Sequence, residues 1–289
     1  MAKIAKGWRD YEIIATGNGE KLERWGELVM LRPDPQAIWA PPFNLSTYKG
    51  INAIYKRSKT GGGDWTFTKN VPSNFIIERK GLRFNCKLMG FKHTGLFPEQ
   101  AVNWDIMSDL ISKANRPIKV LNLFAYTGGA TVACAKAGAN VTHVDSAKAM
   151  VDRAKQNCKS SEVSEQNTRF IVDDCKKFVE REIKRGNTYD AILMDPPSYG
   201  RGPNGEMWKL EECIFDLVKL CTKVLSKNPL FFLINSYTTG LQPTVIKNIL
   251  TLALRDYTKV EYDCYELALP TNEGLELPCG CTGLAIFRR

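Results

Sequence analysis

Histidines and long apolar runs are the features that this 289-residue chain has least of. It contains two histidines, and no stretch reaches the ~20 consecutive apolar residues of a membrane-spanning helix. The first residues include lysines but no apolar core followed by small residues, so we expect no secretory signal. Because histidine is scarce and no cysteine pairs stand at zinc-finger spacing, we expect no metal site.

The nine cysteines form no disulfide framework. Cys134, Cys158 and Cys213 lie inside segments with helical patterns, where reduced thiols are the simplest interpretation. Cys279 and Cys281 are too close together to brace a disulfide scaffold. Reduced thiols are typical of a cytoplasmic protein, and we predict that location.

The net charge of +9 is unevenly distributed along the chain. Residues 1–119 contain 19 lysines and arginines against 11 acidic residues, whereas residues 120–289 contain 21 against 20. A basic region beside a nearly neutral one suits a polyanionic substrate such as RNA. The alternative is a basic surface that serves only solubility.

The apolar pattern predicts two domains, with a boundary between residues 98 and 99. Short segments near residues 11–15 and 27–31 indicate paired strands, and glycine turns separate later ones, which predicts a small antiparallel β-rich accessory domain. Residues 99–113 have apolar side chains at helical spacing. After residue 118, strands alternate with helices, which predicts an α/β domain with a mostly parallel sheet.

Three strand ends in the second domain carry residues suited to ligand binding. The first strand ends at Phe124 and runs into Tyr126-Thr-Gly-Gly129, the second ends at Asp145, and a later one runs into Asp195-Pro-Pro. Ligands bind at the carboxyl ends of the strands in such sheets. Aromatic residues at 124 and 126 depart from the Gly-x-Gly-x-x-Gly dinucleotide pattern, so a nucleoside without a pyrophosphate fits better than a nicotinamide cofactor.

Two acidic positions at these ends have competing interpretations. Asp145 is placed to accept hydrogen bonds from ribose hydroxyls, or it caps the helix that follows. Asp195-Pro-Pro-Ser-Tyr199 forms a rigid loop that can accept hydrogen bonds from a base, while Tyr199 stacks on it; the alternative is a rigid turn without function. Residues 200–205 are predicted to form a mobile loop over the site.

Phe124-Ala-Tyr-Thr-Gly128, His143-Val-Asp145 and Met194-Asp-Pro-Pro197 together resemble class I S-adenosylmethionine-dependent methyltransferases. The resemblance is to the branch of the ribosomal large-subunit RNA cytosine-5 methyltransferases, and it begins near His93-Thr-Gly-Leu-Phe-Pro-Glu-Gln100. It implies a Rossmann-like fold with a seven-stranded, mostly parallel sheet and an antiparallel edge hairpin. It also implies S-adenosyl-L-methionine as cofactor and an RNA substrate, in particular ribosomal RNA.

The resemblance assigns roles residue by residue. The implied catalytic residues are Asp195, Pro196, Pro197 and Tyr199. The implied cofactor-binding residues are Phe97, Gln100, Phe124, Ala125, Tyr126, Thr127, Gly128, Asp145, Ser146, Lys148, Asn157, Asp173, Asp174 and Asp195. Of the adjacent pair, Asp174 is expected to contact the adenine amino group, and helix capping is the competing role for the other acid.

The chain departs from this branch at the nucleophile. Cytosine-5 chemistry needs a thiolate that adds to the ring, and the matching stretch here has Ser236 and Tyr237 where that cysteine falls. The sequence therefore favours another methylated atom over cytosine carbon 5. The alternatives left open are a small-molecule or protein methyltransferase, and a non-catalytic RNA-binding protein that retains the cofactor pocket.

Overall fold

The computed structural model describes residues 1–58, 62–90, 92–201 and 207–288. The chain forms two compact units: a large unit of Met1–Lys3, Asn103–Leu267 and Gly280–Arg289, and a small unit of Ile4–Val102 and Ala268–Cys279. The predicted boundary at residue 98 lies four residues before Val102. The second segment of the small unit was not anticipated, because it comes from the middle of a C-terminal strand pair that sequence patterns assign to the second domain.

The large unit has the predicted alternation of strands and helices. Its helices are α1 (Ala101–Lys113), α2 (Gly129–Lys136), α3 (Lys148–Ser160), α4 (Cys175–Arg185), α5 (Leu210–Thr222) and α6 (Pro243–Ala253). Its sheet contains β1 (Ala2–Ile4), β9 (Lys119–Leu123), β10 (Asn140–Asp145), β11 (Thr168–Val172), β12 (Ala191–Met194), β15 (Phe231–Ser236), β16 (Val260–Pro270) and β17 (Glu276–Phe287). α1 ends at Lys113, where the predicted helical spacing ends, and β10 ends at Asp145 as predicted.

The sheet order β1-β16-β17-β15-β12-β9-β10-β11 confirms the predicted fold class. Neighbouring strands from β15 to β11 are parallel, and β17 runs antiparallel to β15. The sheet has an eighth strand, β1, which the seven-strand prediction lacked. β12 and β15 are buried at every position because helices cover both faces of a parallel sheet.

The small unit contains a five-stranded sheet and a separate hairpin. The sheet strands are β2 (Tyr11–Gly17), β3 (Glu20–Trp25), β4 (Leu28–Pro33), β5 (Ile51–Arg57) and β6 (Gly63–Phe67), and the hairpin pairs β7 (Phe75–Arg79) with β8 (Leu82–Cys86). Two expectations were wrong. The charged segment between the first two predicted strands is itself β3, and β4 pairs with β5 in parallel.

β3 escaped prediction because one of its charges faces inward. Glu23 is fully buried, and its carboxylate accepts hydrogen bonds from the Arg32 guanidinium of β4 and the Tyr11 hydroxyl of β2. Burial of a carboxylate is tolerated only with such partners. An alternation rule that counts charged residues as exposed therefore misreads this strand.

No helix among the described residues is long and apolar enough to span a bilayer. In the same residues, no group of three His, Cys, Asp or Glu side chains is arranged to hold a metal ion.

Candidate active site

The candidate site lies at the carboxyl edge of the large sheet. Leu123 of β9 pairs with both Met194 of β12 and Val144 of β10, and Asp145 pairs with Val172 of β11. The residues that follow these strands therefore share one edge, in the order Asp195, Phe124, Asp145 and Asp173. Since neighbouring strands lie ~4.8 Å apart, this row spans roughly 14 Å.

The loop after β9 has an unusual backbone conformation. Phe124 and Tyr126 have φ angles of 54° and 49°, and Gly128 has 80°. Left-handed φ values are rare for side chains as bulky as Phe and Tyr, so the surroundings must hold them. The Phe124 amide donates to Cys175 Sγ (3.2 Å), the Ala125 amide to the Val144 carbonyl (3.1 Å), and the Gly128 amide to the Ala125 carbonyl (2.9 Å).

Gly128 is required by packing against α3. A Cβ at this position would lie 2.8 Å from Ala154 Cβ, far inside contact distance. Beside it, Asn157 is fully buried and its Nδ2 donates to the Thr127 carbonyl (2.8 Å). Asn157, predicted to bind the cofactor, thus holds the loop through a hydrogen bond from α3. The loop and α3 pack together only because residue 128 has no side chain.

Asp145 connects the loop to α3. Its Oδ2 accepts from the Tyr126 amide and its Oδ1 from the Ala147 amide, both at 2.8 Å. The helix cap is Ala147, which makes no side-chain cap, so the predicted capping role takes the form of a turn ahead of the helix. Each carboxylate oxygen has a second lone pair, and Asp145 is half-buried, so both oxygens can still accept from a ligand.

Ser146 and Lys148 follow Asp145 and lie at the surface. Both are exposed, and the Lys148 ammonium lies 2.5 Å from Asp152 Oδ2, one turn along α3. This hydrogen bond holds the pKa of Asp152 below its usual value. The cofactor contact of Lys148 stays a prediction.

The two acids after β11 have separate partners. Asp174 caps α4, with Oδ1 accepting from the Lys177 amide (2.8 Å), while Asp173 forms an ion pair with Arg181. Capping therefore falls on Asp174, the residue predicted to contact adenine, and not on Asp173, for which capping was the competing role. Because Asp174 is exposed and capping engages one oxygen, Oδ2 still faces solvent-accessible space.

The Asp195-Pro-Pro loop is braced from two sides. Pro196 is buried, and the exposed Pro197 accepts a hydrogen bond on its carbonyl from Trp208 Nε1 (2.7 Å). The Thr238 hydroxyl, from the loop after β15, donates to Ser198 Oγ (2.6 Å). The carbonyl of Pro197, an implied catalytic residue, therefore already accepts a hydrogen bond from Trp208.

The predicted mobile loop is only partly described. Residues 199–201 form β13 (Tyr199–Arg201), which pairs with β14 (Met207–Lys209), and residues 202–206 lie outside the described part of the chain. Tyr199 is 53% exposed. The Trp208 ring lies 5.9 Å from the Phe124 ring, so one side chain contacts both the loop after β9 and the Asp195 loop.

The thiols nearest to the acceptor side are poor nucleophiles. Cys281 pairs across the strands with Ser236, and its Sγ donates to the Leu241 carbonyl (2.8 Å). Burial raises the pKa of Cys281 to about 11, and it also raises the pKa values of Cys175 and Cys221. These groups are neutral at pH 7, so the side chains do not replace the absent family cysteine.

Phe97 and Gln100 belong to the small unit. Phe97 precedes the short 3-10 turn Pro98–Gln100, and its ring lies 5.4 Å from the His93 ring. Gln100 is buried. Their implied contact with the cofactor stays a prediction.

A buried polar chain beneath the loop was missed by sequence reasoning. Asn122 Nδ2 donates to Thr131 Oγ1 (2.9 Å), which lies 2.9 Å from His143 Nδ1. These residues come from β9, α2 and β10, and all are at most 2% exposed. Burial lowers the pKa of His143 to about 3, so the imidazole is neutral. The single sequence holds no signal for this contact.

Comparisons with known proteins agree with this geometry. A family model described as "S-adenosylmethionine-dependent methyltransferase" matches residues 20–220. The crystal structure of the SAM-dependent methyltransferase from Agrobacterium tumefaciens has a TM-score of 0.92 and 31% identity, covering 100% of this chain and 94% of that one.

Two relatives carry more specific names. Ribosomal RNA large subunit methyltransferase K/L of Shewanella frigidimarina is 32% identical over 53% of this chain, and the corresponding methyltransferase I of Aeromonas salmonicida is 31% identical over 43%. The matches cover 21% and 31% of those two proteins, so this chain spans less than a third of either.

Proposed function

Since this chain belongs to the S-adenosylmethionine-dependent methyltransferase family, we propose that it methylates a base of ribosomal RNA in the cytoplasm. The observation that carries the proposal is the row of carboxylates along the sheet edge. Asp145 and Asp195 lie two strands apart, on either side of the loop after β9. That spacing, roughly 10 Å, suits a nucleoside on one side and its reaction partner on the other.

The residues along this edge fit the cofactor. Asp145 would accept hydrogen bonds from the ribose hydroxyls, and the free side of Asp174 or Asp173 would receive the adenine amino group. The loop from Phe124 to Gly128 would line the cofactor pocket. Ser146 would lie at the rim, while Asn157 and Gly128 position the loop. S-adenosylmethionine supplies an electrophilic methyl group when it is bound.

The Asp195 loop would present the acceptor base. The Asp195 carboxylate accepts a hydrogen bond from an exocyclic amine, which orients the nitrogen lone pair toward the methyl donor. The Pro196 carbonyl is a second acceptor, and the exposed Tyr199 ring stacks on the base. Holding two reactants in line supplies much of the rate enhancement in such reactions. Trp208 and Thr238 keep the loop in place.

Three observations support an RNA base and a nitrogen acceptor. The net charge of +9 favours a polyanion, and the names of the two relatives refer to ribosomal RNA. The serine at position 236 and the raised pKa values of the Cys175, Cys221, Cys279 and Cys281 thiols disfavour a cysteine nucleophile for cytosine carbon 5. A nitrogen with a free lone pair needs no enzyme nucleophile.

The test is transfer of labelled methyl groups from S-adenosylmethionine to ribosomal RNA from cells that lack the protein. We expect incorporation, which falls steeply between 50 and 200 mM salt, and mass spectrometry should locate the label on a base nitrogen. Label in protein or small molecules, with none in RNA, would favour the rival methyltransferases. Cofactor binding without any transfer would favour a non-catalytic RNA-binding protein.

A further inference from the structure

The segment between β4 and β5 of the small unit exposes two aromatic side chains. Phe43 is 41% exposed and Tyr48 is 36% exposed. Their rings are stacked, with centroids 6.1 Å apart and planes inclined by 24°. Large exposed apolar groups that are clustered, and not scattered singly, commonly mark a binding surface.

Local contacts hold these two rings in place. Leu45 between them is 2% exposed and belongs to an apolar cluster with Leu22 and Leu31. The Asn44 side chain accepts hydrogen bonds from the amide of Ser46 (3.1 Å) and from its hydroxyl (2.8 Å). The Thr47 hydroxyl donates to the Asn44 carbonyl (2.7 Å). The rings therefore lose little conformational freedom when a ligand stacks on them.

A third exposed ring lies on the edge strand of the same sheet. Phe67, at the end of the edge strand β6, is 55% exposed. The residue after it, Thr68, donates its amide to the Asn52 carbonyl (3.0 Å) and its hydroxyl to the Ile51 carbonyl. These bonds place Phe67 and Lys69 beside the start of β5, three residues after Tyr48.

The sequence around Phe43 and Tyr48 carries only positive charge over a long stretch. Residues 35–63 contain four lysines and arginines and no acidic residue, and Asp64 is the one acid between residues 35 and 77. Lys49 follows Tyr48 directly and Lys69 follows Phe67 by two positions, and both are exposed. Proteins commonly bind single-stranded nucleic acid through exposed aromatic rings with positively charged residues beside them.

We propose that Phe43, Tyr48 and Phe67, with Lys49 and Lys69, form a platform that binds unpaired nucleotides of the RNA substrate. The proposal rests on the proposed function and adds a second substrate-binding surface to it. Bases stack on the rings while the lysines meet the phosphates. Single strands fit better than duplex, because bases in an A-form helix are already stacked on one another. A protein partner is less well matched, since the segment offers cations and no acids for a mixed interface.

The experiment measures binding of a fluorescein-labelled, mixed-sequence 16-nucleotide RNA by anisotropy, as a single strand and as a duplex with its complement. The variant F43A/Y48A should weaken single-strand binding about tenfold or more, because base stacking contributes ~1–3 kcal/mol per base. I38A is the matched control, since Ile38 is 85% exposed on the same loop but is not aromatic. It should bind as the wild type does. In K49Q/K69Q the dependence of log K on log salt should become shallower by about 1.4 for two lost single-strand phosphate contacts.

The outcomes separate this inference from the proposed function. If the wild type methylates RNA but F43A/Y48A binds the single strand as tightly, the platform is wrong and the function stands. Equal weakening in I38A, or equal binding of the duplex, also overturns it, because either result shows a surface without base stacking. If the folded wild type binds S-adenosylhomocysteine but neither binds nor methylates RNA, the proposed function itself is wrong.

Discussion

Asp195 is the residue on which the proposed chemistry depends most. Replacement by asparagine keeps its size but removes the negative charge that attracts the acceptor amine. We expect Asp195→Asn to lower kcat by roughly 100-fold or more, the usual range for a positioned acid or base. Single-turnover methyl transfer should measure this, and calorimetry should give an S-adenosylhomocysteine affinity within about threefold of the wild type. An unchanged kcat would remove Asp195 from the mechanism.

Methyl transfer should not depend on the Cys281 thiol. Because the pKa of Cys281 is raised to about 11, its thiolate fraction at pH 7 is small and grows tenfold per pH unit up to that value. A reaction through this thiolate would show that rise in kcat between pH 7 and 9, and we expect a much flatter profile. Cys281→Ala should retain kcat within about threefold, and a large loss together with a steep profile would contradict the nitrogen-acceptor proposal.

His143 should make the stability of the protein depend on pH. Its folded pKa of about 3 lies below the unfolded value near 6.5, so between these values the unfolded chain binds a proton that the folded protein excludes. Stability from this residue is complete above pH 6.5 and is lost as the pH falls toward 3. From pH 7 to 5 the free energy of unfolding should drop by about 2 kcal/mol from this residue.

Urea denaturation at both pH values checks this, with His143→Asn as the comparison, since its side-chain oxygen can still meet Thr131. The variant should show a drop about 2 kcal/mol smaller than the wild type. An equal drop in both proteins would mean that His143 is protonated in the folded state.

At the scale of elements, the loop after β9 and helix α3 act as one unit. Gly128→Ala must relieve a 2.8 Å contact with Ala154 and adopt a left-handed φ of 80°. We expect a loss of about 2–4 kcal/mol of unfolding free energy, with at least tenfold weaker S-adenosylhomocysteine binding, as α3 moves away from the loop.

Gly138→Ala is the matched control for that prediction. Gly138 also has a positive φ, of 97°, but a Cβ there would meet nothing within 4 Å. It should cost about 1–2 kcal/mol of stability and leave cofactor affinity unchanged. Thermal melts measure the stability of both variants, and calorimetry measures their affinity for S-adenosylhomocysteine. Equal affinities in the two variants would show that the loop after β9 does not contribute to cofactor binding.

Sequence patterns predicted the central elements of the large unit well because β9, β12 and β15 are largely buried runs between helices. β10 ends at Asp145 as predicted, and β9 ends at Leu123, one residue before the predicted Phe124. β3 was missed because Glu23 is buried with Arg32. The parallel pairing of β4 with β5 was missed because it depends on the path of the loop between them. The contacts of Trp208 with Pro197 and of Thr238 with Ser198 join loops distant in sequence, and no local pattern encodes them.

For the whole molecule, the positive charge is shared more evenly between the two units than between residues 1–119 and 120–289. The small unit has 15 lysines and arginines against 11 acids, and the large unit has 25 against 20, so the excess is +4 and +5. The shift arises because Lys3 and residues 103–119 join the large unit while Glu273 and Glu276 join the small one. Under the proposed function, both units therefore attract RNA electrostatically, whereas base stacking is assigned to specific rings.

The central claim is that a sulfonium nucleoside binds along the carboxyl ends of β9, β10 and β11, with its methyl group directed to the loop after β12. Isothermal calorimetry of the folded protein with S-adenosylhomocysteine tests it most directly. We predict one site per chain, with affinity lowered at least tenfold by Gly128→Ala and unchanged by Gly138→Ala. A folded wild-type protein that gives no binding heat over a range of temperatures would contradict the account.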